Sequence, residues 1–417
     1  MMASRRVFEQ VRQSIVALSV VRVALLAFLA LGAATQQARA QAPPEQDYLV
    51  YVLSESADRI ALVRFGPKGA RVDHDLETGS MPTDIDGPHG IAISPDKQFY
   101  YVSLAHGRPN GSVWKYRTAD DSVVGRTPLG LFPATMDLTP DGQFLYVVNF
   151  NLHGDMVPSS VSVVATDLMT EIARIKTCTM PHGSRLNPQG TRQYSACMMD
   201  DMLVEIDTGT LRVSRHFLLT KGHEMGMTGA PNTNMSMGST GSGSAAGRGQ
   251  MRDMGGHGLE PPKPGDNSCS PTWAQPSADG SSIYVACNKS SEIVEVDANA
   301  WKVKRRITAR AGVYNLAITK DNRLIATNKR DQSVSIYDLK TGTELARLPT
   351  KRKVLHGAVV SPDNRCAFIT VEGIGSEPGT VEIIDLQALK TVATVDVGEE
   401  AAGIDFLRME KPDSGKK

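Results

Sequence analysis

An all-β chain is what this sequence predicts, on three observations. Turns resembling Ser-Pro-Asp-Gly recur along its 417 residues, a short run of β-branched and aromatic residues comes after each turn, and no long stretch after the first 45 residues has the 3.6-residue period of a helix. The turns fall at Pro95-Asp96, Pro140-Asp141, Pro188-Gln189, Ala278-Asp279, Lys320-Asp321 and Pro362-Asp363, in steps of 45, 48, 90, 42 and 42 residues. One step is doubled by an insertion, and the others match the period of a four-stranded repeat. Such sheets cannot bury both faces alone, and stacking them radially solves that while leaving only short edges. The expected architecture is a seven-bladed β-propeller of four-stranded antiparallel blades.

The first 40 residues stand apart. A basic start (Arg5, Arg6, Arg12), an apolar run from Val23 to Ala34 and Ala38-Arg39-Ala40 read as a cleaved signal peptide over 1–40. The apolar run is short for a bilayer, so no membrane span is expected after cleavage, and the mature chain is expected to be periplasmic or secreted. Ser4-Arg5-Arg6-Val7-Phe8 resembles a twin-arginine signal, but Arg22 interrupts the region leading to the apolar run, which favours the Sec route. Acidic and basic residues cancel at 45 each, so nothing predicts nucleic-acid binding.

The propeller is expected over 41–408. Residues Tyr48–Leu53 and Ile60–Phe65 supply outer strands that lack an inner one, while Ala402–Leu407 is an inner strand without partners. Joining the two ends completes the seventh blade and closes the ring. The insertion, 221–268, is rich in Met, His and Gly, and 409–417 reads as a disordered tail.

The Ser-Pro-Asp turns, Tyr146-Val-Val-Asn149 and the Val334-x-Ile336-x-Asp338 element resemble the YVTN-type seven-bladed propellers, a family that includes periplasmic YncE-like proteins. The resemblance spans residues 48–408. It implies the fold and an interaction platform, since propellers carry many unrelated chemistries.

Cys178 and Cys197 lie symmetrically about the turn near Pro188, and Cys269 and Cys287 about that near Ala278. Residues facing each other across a hairpin stand roughly 4.5 to 5.5 Å apart, so two disulfides are expected, one clamping each of two adjacent hairpins. A metal site made of all four would need C-x-x-C spacing, which is absent. Cys366 reads as a small buried hydrophobe. The absence of C-x-x-C-H excludes a self-contained c-type cytochrome.

Aligned by their turns, the inner strands place His89, Ala134, His182, Thr272, Tyr314, His356 and Ala402 at one equivalent position, the mouth of the central channel on the face opposite the turns. The same face receives His106, His153, Met156, Met198, Met199 and Met202. It also receives the insertion, with His223, Met225, Met227, Met235, Met237, Met251, Met254 and His257. Of nine histidines only His74 and His216 fall elsewhere.

Thioethers with imidazoles suit copper, Cu(I) above all. Against this, Pro-His-Gly is an ordinary opening for blades of the YVTN type, and a polar Gly-rich insertion can gather methionines without a site. The reading preferred on sequence is a non-catalytic exported scaffold that binds copper or a partner protein at this face, with His89, His182, His356 and the insertion's His and Met residues as ligands. Two alternatives carry different chemistry. A haem d1-type propeller would use a channel histidine as axial ligand, and a lactonase-like hydrolase would set Asp84, Asp86 or Glu372 around a metal. No nucleophile, base and orienting group can be assembled from sequence alone.

Overall fold

The computed structural model describes residues 44–81, 83–107, 110–231 and 268–412. Blade 1 begins with β1 (Asp47–Ser54), β2 (Arg59–Gly66) and β3 (Gly69–Glu77). Blade 2 is β4 (Pro88–Ile93), β5 (Phe99–Leu104), β6 (Ser112–Arg117) and β7 (Val123–Pro128). Blade 3 is β8 (Pro133–Leu138), β9 (Phe144–Asn149), β10 (Pro158–Ala165) and β11 (Thr170–Thr179). Blade 4 is β12 (Pro181–Leu186), β13 (Arg192–Cys197), β14 (Met202–Asp207), β15 (Arg212–Leu218) and β16 (Met225–Thr228). Blade 5 is β17 (Pro271–Pro276), β18 (Ser282–Cys287), β19 (Glu292–Asp297) and β20 (Val303–Thr308). Blade 6 is β21 (Val313–Ile318), β22 (Arg323–Asn328), β23 (Ser333–Asp338) and β24 (Thr343–Pro349). Blade 7 is β25 (Val354–Val360), β26 (Cys366–Glu372), β27 (Pro378–Asp385) and β28 (Lys390–Glu399), and β29 (Ala401–Glu410) returns to blade 1.

β29 pairs antiparallel with β1, with Tyr51 opposite Asp405 and Ser54 opposite Ala401, so the two ends of the chain close the ring as the sequence predicts. The closing strand is longer than expected. It runs to Glu410, whose carboxylate is 2.5 Å from Arg64 Nη1, so residues 409 and 410 belong to the sheet and not to the tail.

Alternate residues of the inner and second strands pack against opposite neighbouring blades. In β1, Leu49, Tyr51 and Leu53 join Ile91, Tyr100 and Trp114 of blade 2, while Tyr48, Val50 and Val52 join Phe368, Val381 and Ile383 of blade 7. Both faces are buried, which is why β1 reads as an unbroken apolar run. Outermost strands such as β24 alternate exposed and half-buried residues, as an edge must.

The turns explain their own sequence. Ser94 Oγ donates to Asp96 at 2.6 Å and accepts the Phe99 amide at 2.9 Å, and the fourth turn residue has φ of 62° at Lys97, 72° at Gly142 and 63° at Asn322. Left-handed backbone there accounts for the Gly and Asn found at that position.

One expectation changes. Cys178 lies in β11, the outermost strand of blade 3, and bonds Cys197 in β13 of blade 4 with Cα atoms 5.9 Å apart, so this disulfide ties two blades together instead of clamping one hairpin. Cys269, just ahead of β17, bonds Cys287 in β18 within blade 5, with Cα atoms 4.5 Å apart. Each closes a loop short enough to contribute about 3 kcal/mol. Cys366 is buried, and burial pushes its thiol up to about 12.

The insertion opens with β16, a fifth strand on blade 4, where Met227 faces His216 and Met225 faces Leu218. Gly226 between them lies so close to Trp301 that a Cβ would sit 2.4 Å from the indole. On the far side of the insertion, the buried Asp201 carboxylate accepts the backbone amides of Ser268, Cys269 and Ser270 at 2.5 to 3.1 Å. Met235, Met237, Met251, Met254 and His257 lie outside the described residues.

Candidate active site at the channel mouth

Each inner strand starts at the channel mouth, and the glycine of Pro-His-Gly is there because neighbouring inner strands nearly touch. A Cβ on Gly90 would lie 1.9 Å from the Ala134 carbonyl oxygen, one on Gly183 2.4 Å from that of Thr272, and one on Gly403 2.5 Å from that of His89. Ser103 bridges the same gap, accepting the Gly90 amide at 2.8 Å and donating to the Ala134 carbonyl at 3.0 Å. The close approach brings the side chains just before these glycines together. Ring centroids are 5.1 Å apart for His89 and His356, 6.4 Å for His89 and His182, 5.3 Å for His182 and Tyr314 and 5.5 Å for Tyr314 and His356.

A second tier comes from the residue at the end of each second strand. In blades 2 to 5 these are Ala105, Phe150, Met198 and Asn288, but in blades 6, 7 and 1 they are Lys329, Glu372 and Glu55. The mouth is therefore charged on one side. On the other, Phe132, Ala134, Phe150 and Met180 form a buried cluster against which Met198 and Met199 pack. An apolar wall facing a few convergent polar groups is the usual anatomy of a small-molecule site.

Glu55 organises the charged side. Its Oε2 is 2.6 Å from His89 Nδ1 and its Oε1 is 2.8 Å from His106 Nε2. Burial alone would raise this carboxyl, but the His89 and His106 imidazoles outweigh it and hold the group well below the usual carboxylate range. The His106 imidazole is raised in turn by its bond to Glu55. An ionised Glu55 can only accept, so Nδ1 of His89 is the donor and the other ring nitrogen, Nε2, is left over for other work. That Nε2 is buried and has no hydrogen-bond partner among the described residues, and His89 lines the upper part of the channel with His356, Asn315 and Arg185.

The other channel groups differ in state. His182 donates from Nδ1 to the Thr272 carbonyl at 2.9 Å and accepts the Tyr314 hydroxyl at Nε2, also at 2.9 Å. Burial pushes it down to about 3, so it stays neutral with both nitrogens engaged. His356 is also held neutral by burial and by the nearby Lys329 ammonium, with its Nε2 4.0 Å from Glu372. Glu372 is raised to about 7, chiefly by burial, with Lys329 opposing the rise. Two carboxyls at one mouth are thus driven in opposite directions, Glu55 ionised and Glu372 a proton donor near neutrality.

The structure brings His89, His182 and His356 together as the alignment of inner strands predicts, and adds His106 and His153, whose rings are 5.7 Å apart. Both nitrogens of His182 are committed, and no group of three His, Cys, Asp or Glu with the spacing of a metal site occurs among the described residues. Of the three carboxylates named for hydrolysis, only Glu372 is at the mouth. Asp84 is exposed, and Asp86 accepts the Ser80 amide at 2.6 Å in the connection between β3 and β4. His223 lies in the connection from β15 to β16, its amide donating to the Thr220 carbonyl at 2.9 Å.

Sequence reasoning missed Glu55 and Lys329. The signal was present in the repeat register, since both occupy the position filled by Ala, Phe, Met or Asn in blades 2 to 5.

Comparison with known proteins agrees with this architecture. A family model described as "Lactonase, 7-bladed beta-propeller" matches residues 41–155, the segment that supplies Glu55, His89 and His106. No curated protein sequence matches the chain. Among solved structures, the periplasmic gluconolactonase PpgL of Pseudomonas aeruginosa is similar at a TM-score of 0.62 and 16% identity, covering 87% of this chain and 99% of that one. Hydrazine synthase of Kuenenia stuttgartiensis is similar at 0.56 and 21% identity, covering 79% and 92%. A candidate 6-phosphogluconolactonase of Bacteroides fragilis is similar at 0.60 and 13% identity, covering 88% and 99%. At these identities the likeness establishes a shared propeller fold.

Proposed function

We propose that the channel mouth is the active site of a hydrolase that opens lactones by general acid–base catalysis. The observation that carries the reading is His89, fixed through Nδ1 by an ionised Glu55 and left with an unpartnered Nε2. In lactone opening a water adds to the carbonyl carbon and the ring C–O bond breaks. His89 Nε2 takes the proton from water, Glu55 stabilises the imidazolium so formed, and Glu372 gives a proton to the departing ring oxygen. The apolar wall of Phe132, Phe150 and Met180 faces the carbon skeleton of the substrate. No metal is required by this scheme, and none is assigned to the channel histidines.

The match of residues 41–155 to a lactonase family model supports the same reading. Export to an oxidising compartment belongs to the proposal and is supported by the two disulfides. So does the closer kinship with YVTN-type propellers, which the repeated turns support. The test is release of acid from a panel of aldonolactones, monitored by pH-stat with the spontaneous rate subtracted. Wild-type protein should open at least one of them, and His89→Asn should be slower by about 10²- to 10⁴-fold, the usual worth of a positioned base. A wild-type rate no faster than buffer, or an unimpaired His89→Asn, overturns the assignment.

A further inference from the structure

Lys329 is not used by the hydrolytic scheme, and its setting is unusual for a lysine. Its ammonium nitrogen stands 3.8 Å over the face of Tyr314, 3.9 Å from Glu372 Oε1, and no hydrogen bond to Nζ occurs among the described residues. The side chain is 25% exposed, enough to be reached from the mouth. The lysines of outer strands are placed otherwise, as Lys304 is, 3.2 Å from Glu295 and 3.0 Å from Ser282 Oγ. An amine set over an aromatic face, without a hydrogen bond from the protein and beside a carboxyl that can carry a proton, is an arrangement that suits a nucleophilic lysine.

We infer that Lys329 forms an imine with the carbonyl group of a small hydroxyaldehyde or keto acid bound at the channel mouth, with Glu372 relaying the protons. The chemistry balances without an external reagent. The Nζ lone pair bonds to the carbonyl carbon, the C=O π pair moves to oxygen, and that oxygen takes a proton from Glu372. The carbinolamine then loses its oxygen as water, and the two protons shed by Nζ leave with it by way of Glu372, which ends as it began. Burial lowers the Lys329 amine from its ordinary value, with the Glu372 carboxylate opposing. The imine goes beyond lactone opening: the two share Glu372, but the nucleophile here is Lys329, and the His89 and Glu55 steps of lactone opening are tested apart from it.

The test treats the full chain with glycolaldehyde or pyruvate in the presence of sodium borohydride, with the site of reduction mapped by peptide mass spectrometry. Adduct should form at Lys329 at least tenfold faster than at any other lysine, and Glu372→Gln, folded as judged by circular dichroism, should slow it about tenfold. Labelling spread evenly over the lysines, or absent from Lys329, overturns the proposal. An unchanged rate in Glu372→Gln overturns the relay. Lactone opening, measured on the same preparation, reports independently on His89 and Glu55.

Discussion

Glu55→Gln is expected to reduce lactone opening by about 10²- to 10⁴-fold, although it changes one atom of a side chain that is itself remote from solvent. The glutamine amide can donate to His89 Nδ1, which moves the imidazole proton to Nε2 and blocks the position that must accept a proton from water. It also removes the charge that stabilises the imidazolium formed during reaction. A stability effect accompanies the kinetic one and has a definite sign with pH. The folded carboxyl sits below its ordinary value of 4.5, so its contribution is fully present above that pH and fades as acid protonates it in the folded state. The stability gap between wild type and Glu55→Gln should therefore be widest at neutral pH and narrow below about pH 4.5, which denaturant titrations at several pH values will show.

Removal of residues 400–410 is expected to abolish cooperative folding. β29 is the inner strand of blade 1, and it buries Ala401, Ala402, Ile404, Phe406 and Leu407 between blades 7, 1 and 2. Its loss exposes the edge of β1, severs the Arg64–Glu410 ion pair and leaves the channel open on one side. Ile404, Phe406 and Leu407 alone are worth about 1.5 to 3 kcal/mol each, against a typical net stability of about 5 to 15 kcal/mol. The truncated chain should show no sharp thermal transition. An unchanged midpoint would mean that the ring does not depend on its closing strand.

The fold was legible in the sequence because a repeat advertises itself many times over. The Ser-Pro-Asp turns fix the register of every inner hairpin, and one register fixes the equivalent residues of all seven blades, which is how His89, His182 and His356 could be placed at one mouth before any coordinates. What those histidines do was not legible, because an imidazole's role depends on where each nitrogen points. His182 spends both on Thr272 and Tyr314, whereas His89 spends one on Glu55 and keeps the other, and Pro-His-Gly is identical in the two blades. Met180, Met198 and Met199 stand on the same face as the histidines, where Met180 belongs to the apolar wall of the mouth and Met198 and Met199 pack against it. The Cys178–Cys197 pair was found, but its topology was missed, since symmetry about a turn does not tell that Cys178 still belongs to the previous blade.

The central claim is that the mouth holds two carboxyls in opposite states, Glu55 ionised and Glu372 protonated near neutrality. Around Glu372 stand the titratable groups His356, Lys329, Glu400, Glu55 and His89, and burial outweighs Lys329 in keeping the proton on. The most direct test is the pH dependence of kcat/KM for lactone opening in wild type and Glu372→Gln. In the wild type the rate should fall as pH rises through about 7, when Glu372 loses the proton it must donate, and in the slower Glu372→Gln that limb should be missing. The same falling limb in both proteins would contradict the account.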